Sequence, residues 1–121
     1  MSRRLCASSD LVEGSLGVRF ALDDATNGFA IRFRNRVSAF ANRCPHLGTE
    51  LDWQPGDFFE ESGLYLVCST HGAIFEPDSG RCVAGPCRGA SLEPLQVRER
   101  EGQVFLEVEP GSAIKEESIS R

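Results

Sequence analysis

Two short segments, Cys44-Pro45-His46-Leu47-Gly48 and Cys68-Ser69-Thr70-His71-Gly72, hold both histidines of this 121-residue chain and two of its five cysteines. In each segment one or two residues separate the cysteine from its histidine, and a glycine follows within two residues. A thiolate binds iron tightly and brings charge; a neutral imidazole binds it and brings none. At this spacing one loop can present both side chains to adjacent metal ions. Cys44, His46, Cys68 and His71 are therefore candidate ligands, and the set suits a [2Fe–2S] cluster in which two histidines replace two cysteines on one iron. Four thiolates would add four negative charges to such a cluster, whereas this set adds two. The cluster then accepts an electron more easily and its reduction potential rises. Gly48 and Gly72 permit a tight backbone path, and backbone N–H groups in such loops can hydrogen-bond the cluster sulfurs.

Other readings of the same residues are weaker. A lone cysteine or histidine is usually a packing residue, but here both histidines fall in matched loops. Two cysteines and two histidines also suit structural zinc, yet zinc ligands usually run as a Cys pair followed by a His pair. A nucleophilic Cys–His pair has no use for two copies. The remaining cysteines, Cys6, Cys82 and Cys87, make the total odd, which speaks against a fully paired disulfide framework. They are expected to be free thiols in a reducing compartment, with Cys82 and Cys87 as packing residues rather than a redox pair or alternative ligands.

The elements that must position the four ligands read as strands and turns. Gly17–Leu22, Phe29–Phe33 and Val37–Phe40 alternate with period two, the last two flanking the turn Arg34-Asn35-Arg36. Leu64–Val67 runs into Cys68, and Ala73–Phe75 runs from His71 to the turn Pro77-Asp78-Ser79-Gly80. Leu95–Arg98 and Val104–Val108 form a hairpin about Glu101-Gly102, and no long segment has a helical period. The aromatic-rich stretch Asp52–Gly63 between the ligand loops is read as a packed lid, in preference to a contact surface for a redox partner. One domain is expected over residues 1–110, with cluster-binding loops at about 43–88 and a frayed tail at 111–121. A hydrophobic content of 40% and a charged content of 26% place the chain among ordinary globular domains. The net charge of -5 disfavours nucleic acid and leaves a basic protein partner open. No apolar run approaches a membrane span, and the N-terminus reaches Ser8, Ser9 and Asp10 without the apolar stretch of a secretory leader. The cytoplasm is the expected location.

From about Gly17 to Val108 the chain resembles the Rieske [2Fe–2S] proteins, and among them the small soluble ferredoxins. The likeness rests on Cys-Pro-His-Leu-Gly at 44–48, Cys-x-x-His-Gly at 68–72 and the later Gly85-Pro86. It implies an all-β fold, an antiparallel β-sandwich carrying a small cluster-binding subdomain. It further implies that Cys44 and Cys68 bind the inner iron, that His46 and His71 bind the outer iron near the surface, and that Gly85-Pro86 lies in a third loop covering the cluster. Twenty-one residues separate His46 from Cys68, a few more than is usual, and the surplus falls within Trp53–Gly63. High-potential members of the family carry an extra cysteine in each ligand loop, forming a disulfide, where this chain has Thr49 and Thr70. They also have a serine and a tyrosine that donate to sulfur, where this chain has Ala73 and Phe75. Hydrogen bonds to sulfur stabilise the reduced cluster, so their absence implies a potential toward the low end of the family range, roughly −150 mV.

The resemblance implies one-electron transfer by a carrier without its own substrate site, from a flavin reductase to an oxygenase or similar enzyme. Both histidines are already used, so no mononuclear iron triad can be built. A permanently bound Rieske subunit of a larger oxidoreductase and a zinc-stabilised interaction module are the alternatives. The outer nitrogens of the ligand histidines would face solvent or partner, and proton loss there favours the oxidised form. We expect the potential to fall as pH rises above the pKa of these histidines. Potentiometry across the alkaline range checks this, and a flat response contradicts it.

Overall fold

A computed structural model of the chain describes residues 2–22, 26–45, 49–52, 54, 56–69, 72–86 and 89–107. The strand β3 (Asn27–Phe33) determines the layering, because residues 28–31 and Phe33 are all buried. Side chains alternate along a strand, and here both faces are apolar. Phe29, Ile31 and Phe33 enter one core while Ala30 enters another. A sheet built on such a strand must be the middle of three layers.

That middle sheet runs in the order β2 (Val18–Ala21), β3, β4 (Arg36–Ala41) and β8 (Pro94–Leu95). One face meets a sheet of β1 (Ser2–Ala7), β10 (Gln103–Glu107) and β9 (Val97–Arg100). Cys6, Val104 and Leu106 of the outer sheet pack there against Phe20, Ala30 and Ala39. The opposite face, with Phe29, Ile31, Phe33 and Phe40, is covered by a small sheet of β5 (Leu66–Val67), β6 (Ile74–Phe75) and β7 (Cys82–Ala84) together with its loops. All pairs between these strands are antiparallel. The fold is all-β, as the alternation and the resemblance imply. The described residues include only one short helical turn, Ser8–Asp10, and no helix long and apolar enough to cross a membrane.

The β3–β4 turn forces Arg34 and Asn35 to φ of 52° and 64°, the left-handed geometry that matches hairpin twist. That conformation is costly for arginine. The carboxylate of Glu13 offsets it by accepting from the backbone N–H groups of Arg34 (2.6 Å) and Asn35 (2.9 Å).

The structure corrects several strand boundaries. Leu95 does not belong to the strand that follows it: Pro94-Leu95 pairs with β4, whereas Val97–Arg100 pairs with β10. Period-two alternation carries through the switch and so hides it. The strand before Cys68 is only Leu66–Val67. Two strands, β1 and β7, had no clear signal. The first is half hidden by its exposed Ser2, Arg3 and Arg4, and the second is only three residues long. In the expected lid, Phe58 is fully buried and stacks on Phe29 at 4.0 Å between ring centroids, and Phe59 stacks on Phe33 at 6.2 Å. These two side chains act as core, while Trp53 and Pro55 lie outside the described residues, as does the expected tail at 111–121.

An ion pair ties the layers. Arg32 of β3 donates from Nη2 to Glu99 Oε2 of β9 (2.6 Å) and to the Ser8 carbonyl (3.3 Å). The hydrogen bond from Arg32 holds the Glu99 carboxyl below its ordinary range. A depressed carboxyl pKa contributes stability that is present above the unfolded value and is lost as pH falls through the folded one. We expect Glu99→Gln to cost about 1 kcal/mol at neutral pH, as befits a partly exposed pair. The difference from wild type should vanish well below the carboxylate range. Urea unfolding at the two pH values measures both.

Candidate metal centre

Cys44 lies just beyond β4, where Asn42 and Arg43 turn the chain out of the middle sheet. Its N–H donates to the Thr49 carbonyl at 2.7 Å and closes a short loop over residues 44–49. Cys68 follows β5, in the connection to β6. Its N–H donates to the Ala73 carbonyl (2.9 Å), and its own carbonyl accepts from Gly72 N–H (2.8 Å). Gly72 has φ of +73°, a conformation that glycine adopts without strain. Only the second loop is therefore the tip of a hairpin in the small sheet. The first is an extension of the middle sheet.

The two cysteines, distant in sequence, share one core. Cys44 is 1% exposed and Cys68 is fully buried, among Leu51, Phe58, Leu66 and Phe75. The loops touch directly. Ser69 N–H donates to the Leu51 carbonyl at 3.0 Å, and Thr49 Oγ1 stands 4.0 Å from Cys68 Sγ. His46 and His71 lie outside the described residues, as do Leu47, Gly48 and Thr70. Among the described residues no three His, Cys, Asp or Glu side chains form a metal-binding group. The structure brings together the loops that carry the two candidate thiolates.

The donor chemistry fits an iron–sulfur cluster. Burial in apolar surroundings disfavours a bare thiolate, so two cysteines buried in one core suit metal ligation, which takes up their charge. Ala73 and Phe75, both fully buried, offer no side-chain donor. Thr49 does carry a hydroxyl close to the Cys68 sulfur, a feature the sequence pattern did not single out. Gly85, with φ of +100°, sits directly on the second loop: a Cβ there would come within 2.8 Å of Ala73 Cα. The Gly85-Pro86 segment therefore lies against the loop that carries Cys68. Cys82 is buried in the same core, with its Sγ 3.2 Å from the Ala84 carbonyl. Cys87 and Arg88 lie outside the described residues. Cys6 belongs to the other core, where burial pushes its thiol pKa up.

The family model described as Rieske [2Fe-2S] domain matches residues 2–104. Among curated protein sequences none matches. One similar solved structure is a complex of reduced oxygenase and oxidized ferredoxin in carbazole 1,9a-dioxygenase, 25% identical, with 87% of this chain and 91% of that one covered and a TM-score of 0.70. The ferredoxin of Sphingomonas yanoikuyae B1 is 20% identical, with 90% and 100% covered and a TM-score of 0.73. The terminal oxygenase of carbazole 1,9a-dioxygenase from Novosphingobium sp. KA1 is 27% identical, with 90% of this chain but 31% of that one covered and a TM-score of 0.71.

The contact of Gly85 with Ala73 gives a direct test. We expect Gly85→Ala to destabilise the protein by about 2 kcal/mol, from strain at positive φ and overlap with Ala73. Thermal unfolding measures it, with Gly89→Ala as the comparison, since among the described residues none beyond its chain neighbours lies within 4 Å of a Cβ there.

Proposed function

The chain belongs to the Rieske [2Fe-2S] domain family, and from that we propose that Cys44, His46, Cys68 and His71 bind its [2Fe–2S] cluster in a carrier of single electrons. The observation that carries this reading is the convergence of Cys44 and Cys68 in one core, on loops bonded to each other and each continuing toward one of the only two histidines. When bound, the cluster supplies a site that takes up and releases one electron.

The chain's own residues do the rest. The thiolates of Cys44 and Cys68 hold the metal, and Leu51, Phe58 and Phe75 around them exclude water from that end of the site. His46 and His71 would complete the ligand set with neutral imidazole nitrogens. Gly85-Pro86 packs on the second loop and covers it.

A role as electron carrier to an oxygenase is supported by the likeness to ferredoxins, one of them in complex with an oxygenase, over 91% and 100% of their lengths. The donor would be a flavin reductase whose basic face meets the acidic majority of this chain. The cytoplasm suits the Cys6 thiol, which persists in a reducing compartment. A permanently held subunit of a larger oxidoreductase is the second reading, favoured by the 27% identity to a terminal oxygenase. Gel filtration of a native extract separates the two.

The ligand assignment is tested on anaerobically purified full-length protein. We expect acid-labile sulfide, visible absorption and, in pulsed EPR of the reduced form, nitrogen couplings from two imidazoles. Replacing either His46 or His71 by alanine should leave no more than one imidazole coupling, and Cys44→Ser or Cys68→Ser should remove most of the cluster. Colourless protein holding zinc would refute the assignment.

A further inference from the structure

Asn42 and Asp52 are the only buried polar residues among those described, at 2% and 8% exposure, and the Asp52 side chain is fully shielded. They bond to each other: Asn42 Nδ2 donates to Asp52 Oδ1 at 3.0 Å. Asn42 Oδ1 accepts from Leu51 N–H (2.8 Å), and Asp52 Oδ2 accepts from Gly56 N–H (3.0 Å). Arg19 Nε stands 3.6 Å from Asp52 Oδ2, and the same guanidinium pairs with the exposed Glu50 at 2.9 Å.

The location of the pair gives it a role. Asn42 lies two residues before Cys44, and Asp52 lies three residues after Thr49, whose carbonyl closes the first loop. Leu51, gripped by Asn42 through its N–H, uses its carbonyl to accept from Ser69 N–H, beside Cys68. One run of hydrogen bonds, from Asp52 through Asn42 and Leu51 to Ser69, thus joins the two cysteine loops. A buried carboxylate is expensive, and an apolar pair of similar volume would often be at least as stable. Stability alone gives no reason for this pair.

We propose that Asn42 and Asp52 are positioning residues for the cluster: they lock the Cys44 loop in register with the Cys68 loop, and the buried charge of Asp52 lowers the reduction potential. This rests on the ligand assignment above. Reduction adds one negative charge to the site, and a fixed carboxylate in a poorly screened interior opposes it. Arg19, 28% exposed and shared with Glu50, compensates only in part.

The test uses full-length, cluster-loaded protein and two readouts, midpoint potential and rate of cluster loss to a chelator. Asp52→Asn should make reduction three- to tenfold more favourable, tenfold being about 59 mV for one electron. Asn42→Ala leaves Leu51 N–H and one Asp52 oxygen unpaired, so it should speed cluster loss at least tenfold. The exchanged pair N42D/D52N can keep every hydrogen bond, reversing only the one between the two side chains, and keeps one buried charge within the pair, moved to position 42. It should restore both readouts toward wild type, and it carries the test if Asn42→Ala does not fold. An unchanged potential in Asp52→Asn overturns the proposal, and so does an exchanged pair that loses cluster no more slowly than Asp52→Asn. Wild-type protein that takes up no cluster marks failure of the ligand assignment instead, and this proposal falls with it.

Discussion

Between Gly28 and Ile31 no side chain of β3 reaches water, and each face of that strand must be covered by something else. The outer sheet covers one face with Cys6, Val104 and Leu106. The small sheet and its loops cover the other, with Phe58 stacked on Phe29 and Phe59 on Phe33. The site depends on this second covering. Its loops are held down because they complete the core over a sheet that cannot be left bare, and apolar burial of this kind is the largest stabilising contribution to folding.

The cysteines are accordingly part of the core that holds them. Cys44 continues the middle sheet and Cys68 continues the small one, so any shift between the two layers would change the spacing of the thiolates. Three contacts oppose such a shift. Ser69 bonds the Leu51 carbonyl, Gly85 lies against Ala73, and the Asn42–Asp52 pair grips the base of the first loop. The first two are backbone contacts that need little of the residues concerned beyond a small size at Gly85. The third uses buried polar side chains, which act only in one geometry.

Much of this was legible along the chain. The hairpin Phe29–Phe40 and the turn at Pro77–Gly80 follow from period-two patterning and turn residues. The candidate ligand loops are marked by the spacing of Cys and His, and of their members the structure brings Cys44 and Cys68 into one core. The strands that were missed or misplaced share a cause. Pro94-Leu95 and Val97–Arg100 look continuous because alternation records which face a side chain takes, not which sheet its strand joins. Ser2–Ala7 buries only Cys6, so its membership of a sheet rests on backbone pairing with β10, which leaves little trace in residue type.

Composition and local pattern determined the strand-and-turn character and the net acidic charge and marked the candidate donors, since each depends on residues close together in sequence. The three-layer order, the convergence of Cys44 with Cys68 and the buried link between Asn42 and Asp52 were decided by tertiary structure. Nothing in an isolated Asn or Asp marks it as buried. That outcome requires the middle sheet, the first loop and the second loop to close on one another, an arrangement enforced by long-range packing and readable only once the chain is folded.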